Sequence, residues 1–190
     1  VSGTLTVATS STFLANSKTW TLSGTGTVFT INGTFTPETS TFAYSGSGSA
    51  TLKGTTYYNL QTTGSGTYTL GGNTTVSNNL TATSTGTLAG TSDLTMNGAN
   101  FIGAGSINLT GGTVTLDNNS LTEETTFGGN GNWTFYNLTF TEADAPRPFS
   151  ATGSGGVTVR NVLTVSSGAT LTAGSKTWTL LGTGTPFVGA

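Results

Sequence analysis

The sequence predicts an all-β fold, a parallel β-solenoid of short stacked strands, on three observations: runs of strand period punctuated by Gly, Asn and Ser, the absence of any helical pattern, and internal repetition. Alternating runs read as strands at residues 4–7, 19–22, 28–31, 67–70, 94–96, 107–109, 113–116, 133–140, 157–159, 162–165 and 177–181. No window places apolar residues at helical spacing, and 29 glycines in 190 residues recur too often for a helix to persist.

Repetition is the strongest signal. Residues 4–29, TLTVATSSTFLANSKTWTLSGTGTVF, match residues 162–187, VLTVSSGATLTAGSKTWTLLGTGTPF, at a constant offset of 158 without a gap. A weaker copy relates 57–98 to 135–182, with YYNL at 57–60 answered by FYNL at 135–138. The interval from Tyr57 to Val76 is shorter than the matching interval from Phe135 to Val159, so the second unit is longer. Its extra residues are expected at EADAPRPF, 142–149, whose charges and prolines predict a loop. The whole chain, 1–190, therefore reads as one continuous β-repeat segment.

Tandem antiparallel β-sandwich domains of roughly 80 residues are the alternative architecture. The solenoid is preferred because the apolar positions are small and scattered over turn-separated runs, without the dense aromatic cluster that a sandwich core needs.

Composition narrows the function. Only 6% of residues are charged, the net charge is -2, and Lys18, Lys53, Arg147, Arg160 and Lys176 lie far apart, so nothing provides the basic surface that nucleic acid requires. Cysteine and histidine are both absent, which removes thiol chemistry, the commonest general base and the commonest transition-metal ligand. No apolar stretch is long enough to cross a bilayer as a helix, and membrane insertion is not expected. The chain starts at Val1 rather than Met, and neither end reads as a cap, so it is expected to be a window on a longer, axially repeating protein.

The search for chemistry is short. The carboxylates are Glu38, Asp93, Asp117, Glu123, Glu124, Glu142 and Asp144, and the groups Glu123-Glu124 and Glu142 to Asp144 are read as solvated loop charges rather than a glycosidase pair. Asp117, Asn118, Asn119, Glu123 and Glu124 offer hard oxygen ligands in one stretch but follow no known calcium-loop order. Thr-x-Thr triplets at 4–6, 19–21, 67–69, 113–115 and 177–179 could form an ice-binding face, but they do not recur at one coil length, and stacked threonine also has a structural role. Asn-x-Thr/Ser acceptors occur at Asn32, Asn73, Asn79, Asn108, Asn118, Asn132 and Asn137. Trp20, Tyr57, Tyr58, Trp133, Tyr136 and Trp178 could stack on sugars, but repetition of SKTW favours packing roles. No catalytic, cofactor or metal residue is assigned, and the chain is not expected to be an enzyme.

The runs YYNL, TYTLGGNTTVSNNLT, FYNLTF and SKTWTLLGTGTPF resemble the Thr/Gly-rich β-strand repeats of giant microbial cell-surface proteins, which in turn resemble autotransporter passengers and filamentous-haemagglutinin-like adhesins. The resemblance covers essentially the whole chain and carries over no catalytic residue. It implies an exported scaffold at the cell surface or outside the cell. The expected function is a structural segment of an extracellular fibre or surface repeat protein, self-associating with copies of itself by strand or coil stacking. The alternative is an adhesin module that binds surface glycans.

Overall fold

The computed structural model describes residues 1–83, 85–98, 100–118, 124–142 and 148–189. Among them there is no helix, and every strand pairing is parallel, so the chain is a β-solenoid of about eight turns. A strand of three or four residues cannot bury its inner side chains alone, and stacking one coil on the next gives both the hydrogen-bond partner and the hydrophobic cover.

Three faces recur. The first is an eight-stranded sheet that starts with Thr19–Leu22 and continues through Thr41–Tyr44, Asn59–Thr62, Asn79–Ala82, Asn100–Ile102, Thr125–Gly128 and Pro148–Thr152 to Thr170–Thr172. The second runs from Gly26–Thr27 through Ala50–Leu52, Thr67–Leu70 and Thr87–Gly90 to Val157–Val159 and Trp178–Leu180. The third includes Thr56–Tyr57, Thr74–Val76, Leu94–Met96, Leu163–Val165 and Phe187–Gly189. Two long strands, Ser106–Asp117 and Trp133–Thr141, bend from the second face onto the third, with a register shift between Leu109 and Thr113. At the N-terminal end two further pairs, Leu5–Val7 with Phe29–Ile31 and Thr12–Leu14 with Thr34–Thr36, add a side to the coil.

Alternation on each strand sends one set of side chains inward. Leu94, Val114, Leu138 and Leu163 form one inward column, in register on successive coils and all buried. The core is more aromatic than the sequence suggests. Phe101, Phe127, Trp133 and Phe135 form one dense cluster, with Phe101 stacked on Trp133 at 4.6 Å, while Phe13, Phe29, Phe35 and Phe42 form another near the N-terminal end. The expectation of a scattered, small-residue interior is thus corrected: the aromatics lie far apart in sequence, and only the coil register brings them together.

Coil length varies without disturbing the stack. Thr41 pairs with Asn59 across a short coil, whereas Asn100 pairs with Thr126 across a distinctly longer one. The segment 142–149 is only partly the loop expected of it. Pro148 opens the strand Pro148–Thr152, a first position where its missing N–H is tolerated, and Phe149 is fully buried. Residues 143–147 lie outside the described residues.

Between the first and second faces the chain turns through glycines that stack on one another. A Cβ on Gly129 would collide with the carbonyl of Gly103, one on Gly153 with Gly129, and one on Gly155 with the carbonyl of Gly131. Any larger residue would push neighbouring coils apart.

The phenols of Tyr44 and Tyr57 lie 3.0 Å apart in the core, and Tyr57 donates to the Lys53 carbonyl at 2.8 Å. Burial pushes Tyr44 up to about 12, partly opposed by its hydrogen bond to Tyr57. Burial and the adjacent Tyr44 also raise Tyr57 well above the ordinary phenol value.

Two outcomes follow from this packing. Trp133 is buried and donates its indole N–H to the Gly105 carbonyl at 3.1 Å, so Trp133→Ala should lower unfolding free energy by about 3–5 kcal/mol in urea titrations. Because the folded-state phenol values are raised, stability is fully present below pH 10 and lost as pH rises from 10 through 12. The two phenols should titrate together, and the Tyr44→Phe/Tyr57→Phe double variant should flatten the pH dependence of the melting temperature above pH 10.

Candidate functional site at the two end coils

Among the described residues the strands at the two ends of the stack pair on one side only. At the C-terminal end Thr170–Thr172, Trp178–Leu180 and Phe187–Gly189 each have a strand neighbour on one side only. They surround a mouth of about 530 Å³ lined by Leu163, Val165, Leu171, Ala173, Trp178, Phe187 and Gly189. Leu181, Phe187 and Val188 are exposed beside it. At the N-terminal end Leu5, Phe13 and Trp20 are only half-buried, and Val1 and Leu14 are exposed.

The two end coils are copies in conformation as well as in sequence. Leu5 pairs with Phe29 and Leu163 with Phe187, so the two circuits are equal in length. Left-handed backbone occurs at Ser10, Asn16 and Gly26 in the first and at Gly168, Gly174 and Gly184 in the last, the positions that the sequence repeat makes equivalent. The indole N–H of Trp20 donates to Ala15 at 3.1 Å, and that of Trp178 donates to Ala173 at 3.1 Å. Ser23 N donates to the Val1 carbonyl at 2.9 Å as Leu181 N does to Val159. Their surroundings differ, however: Thr19–Leu22 begins the first face, whereas Trp178–Leu180 ends the second. The weaker repeat also changes face, since Leu60 lies on the first face and Leu138 on the third.

The lysines of the two SKTW motifs show what this change does. Lys18 is exposed. Lys176 is buried, and its ammonium donates to the Gly129 and Gly155 carbonyls at 2.8 and 2.9 Å. Partial desolvation lowers its pKa below the ordinary lysine value.

The candidate ligands do not converge. Among the described residues no three His, Cys, Asp or Glu side chains gather as a metal site. Glu38 accepts from Asn16 N at 2.6 Å, Asp93 accepts from Thr113 N at 2.8 Å, and Glu124 accepts from the Ser150 hydroxyl. Of the calcium candidates, Asn118 is fully buried, while Asn119 and Glu123, like Asp144 of the acidic loop, lie outside the described residues.

Several of the Asn-x-Thr/Ser positions are tied into polar ladders that sequence reasoning missed. Asn100 Nδ2 donates to Asn79 Oδ1 at 2.9 Å, Asn78 Nδ2 to Asn59 Oδ1 at 2.9 Å, and Asn161 Nδ2 to Asn137 Oδ1 at 2.8 Å. Asn73 and Asn132 accept from the backbone of Asp93 and Gly156. Asn32 and Asn108 are exposed or nearly so. The Thr-x-Thr triplets fall on different faces. The longest column that the register builds is on the third face, Thr56, Thr75, Thr95, Thr115, Thr139 and Thr164, followed by Val188, with the shorter runs Thr27, Thr51, Thr69 and Thr134, Thr158, Thr179 on the second. The flank of the third-face column, with Thr113 beside Asn137, is not a second threonine row.

Of the aromatics that could serve as sugar platforms, Tyr57 and Trp133 are buried, while Trp20, Tyr58 and Trp178 are half-buried. Trp178 stacks on Phe127 at 6.0 Å. Tyr136 alone of the six is exposed.

No protein-family model, curated protein or solved structure matches this chain.

The contrast between the two SKTW lysines can be measured directly. Lys176→Ala removes two charge-assisted bonds and should cost about 2–4 kcal/mol by chemical denaturation, whereas Lys18→Ala should stay within about 0.5 kcal/mol of the parent.

Proposed function

We propose that this chain is a structural, non-enzymatic segment of an extracellular fibre or cell-surface repeat protein that self-associates by coil stacking. The observation that carries this reading is the coil stack itself: parallel strands pair coil on coil along the described chain, an arrangement that a further coil extends by the same backbone hydrogen bonds.

The outer surface supports a scaffold role. Its outward positions are mostly Thr, Ser, Asn and Gly, which satisfy one another in ladders along the stack and leave few charged groups for chemistry. An exported location is consistent with this low-charge surface. The glycan-binding alternative is supported by Tyr136 alone among the aromatics considered for it.

Electron microscopy of the purified protein without ligand tests the reading. Unbranched filaments should appear and lengthen with protein concentration. A monodisperse particle of 19.1 kDa persisting at millimolar concentration would overturn it.

A further inference from the structure

We propose that Tyr136 and Arg160 form a binding site for an acidic sugar, a hexuronate unit of a polysaccharide, on the side of the stack. Tyr136 has a paired coil on each side of it, and the site adds a ligand to the scaffold reading without depending on self-association.

Register brings the two residues together. Phe135 pairs with Val159, and the amides of Arg160 and Asn161 donate to the carbonyls of Phe135 and Tyr136, both at 2.9 Å. Arg160 is therefore the neighbour of Tyr136 on the next coil, about 5 Å further along the stack. Both side chains are exposed. On the other side Leu109 pairs with Phe135 and Thr113 with Asn137, so Thr110, Gly111 and Gly112 share the stretch that Tyr136 spans alone. Tyr136 thus stands between a glycine shelf and a guanidinium.

The backbone beneath the ring is held from both sides. Asn137 Oδ1 accepts from Asn161 Nδ2 at 2.8 Å, and Asn137 Nδ2 donates to the Gly112 carbonyl and to Thr113 Oγ1, each at 3.4 Å. A platform fixed before the ligand arrives loses little freedom on binding.

The chemistry of these groups selects the ligand. A phenol offers an apolar face to the C–H face of a sugar ring and a polar tip to its hydroxyls. A guanidinium is planar and pairs with a carboxylate through two parallel hydrogen bonds. Along the strand, roughly 7 Å from the tyrosine column, Thr134 lies in register between Asn108 and Thr158 and adds hydroxyl and amide groups. None of these positions holds a large apolar side chain, so the surface lacks the apolar centre of a protein interface. One arginine also falls short of the charge that a phosphate backbone needs.

The chain contains a twin of this platform without the cation. Ser77 N and Asn78 N donate to the Tyr57 and Tyr58 carbonyls, both at 2.9 Å, and Asn78 Nδ2 donates to Asn59 Oδ1 at 2.9 Å. Ser77 stands there where Arg160 stands beside Tyr136, and Tyr58 is half-buried. The amide-bridged ladder belongs to the fold, whereas the exposed ring and the guanidinium are added at one copy only.

Titration calorimetry on the full chain tests the site with acidic oligomers of galacturonate, alginate and hyaluronan, and with dextran and methyl-esterified oligogalacturonate as uncharged controls. At least one acidic oligomer should bind, more weakly as salt is raised. Tyr136→Ala should weaken binding about tenfold or more, and Arg160→Ala about ten- to a hundredfold. Tyr58→Leu, in the twin, should leave it unchanged, and circular dichroism checks that each variant keeps the parent's fold.

No binding of any acidic oligomer at millimolar concentration would overturn the proposal. Equal binding of dextran would do so as well, and so would a loss in Arg160→Ala that Tyr136→Ala does not share. Each of these results leaves the filament test of the scaffold reading untouched.

Discussion

Backbone hydrogen bonds from each coil to the next are the constraint on which the rest of this molecule depends. They join strands that are mostly too short to hold together singly, and they fix which side chain lies above which. Once Leu94 is beneath Val114 and Val114 beneath Leu138, the inward column is decided, and so is the outward column of threonines next to it. Parallel pairing in register also explains the glycines at the corner between the first two faces. The backbones must keep strand spacing through the turn as well as along the flat, and at Gly103, Gly129 and Gly153 only hydrogen fits between them.

The same constraint makes coil length a free variable. A corner can swell from the tight passage between Tyr57 and Asn59 to the long one after Asp117, and the next strand still finds its partner. Repetition in sequence and repetition in space therefore need not coincide. The copies of SKTW share corners and hydrogen bonds yet belong to different sheets, and Lys18 and Lys176 end in solvent and in the interior respectively. Local sequence sets the path of one circuit, while pairing with the neighbouring coil sets the face to which each strand belongs.

This explains what can be read from the sequence and what cannot. Some strands of the second and third faces, such as Thr67–Leu70, Leu94–Met96 and Val157–Val159, alternate apolar and β-branched residues and announce themselves, whereas Ala50–Leu52, Thr74–Val76 and Thr87–Gly90 do not. The first face does not: apart from Thr19–Leu22 its strands are illegible in isolation, because NLQT, NLTA and NFI begin with asparagine, which disfavours isolated strands. Its asparagines are held by one another across coils, a non-local stabilisation that no window of a single coil contains. The aromatic cluster of Phe101, Phe127, Trp133 and Phe135 is hidden for the same reason. The likeness of the first and last coils is legible as the gapless repeat of SKTW, whereas the face to which each copy belongs needs coordinates.

The thinness of each layer has a mechanical consequence. A coil adds about 5 Å to the stack but contains enough chain to reach roughly 60–90 Å when drawn straight. The first and last coils lie at opposite ends of the stack, so tension along the stack loads the outermost coils first. Among the described residues no strand pairs beyond a neighbouring coil, so an end coil can peel while the others keep their own partners. Under load the molecule is then a ratcheted store of length, yielding one circuit at a time and dissipating work at each step.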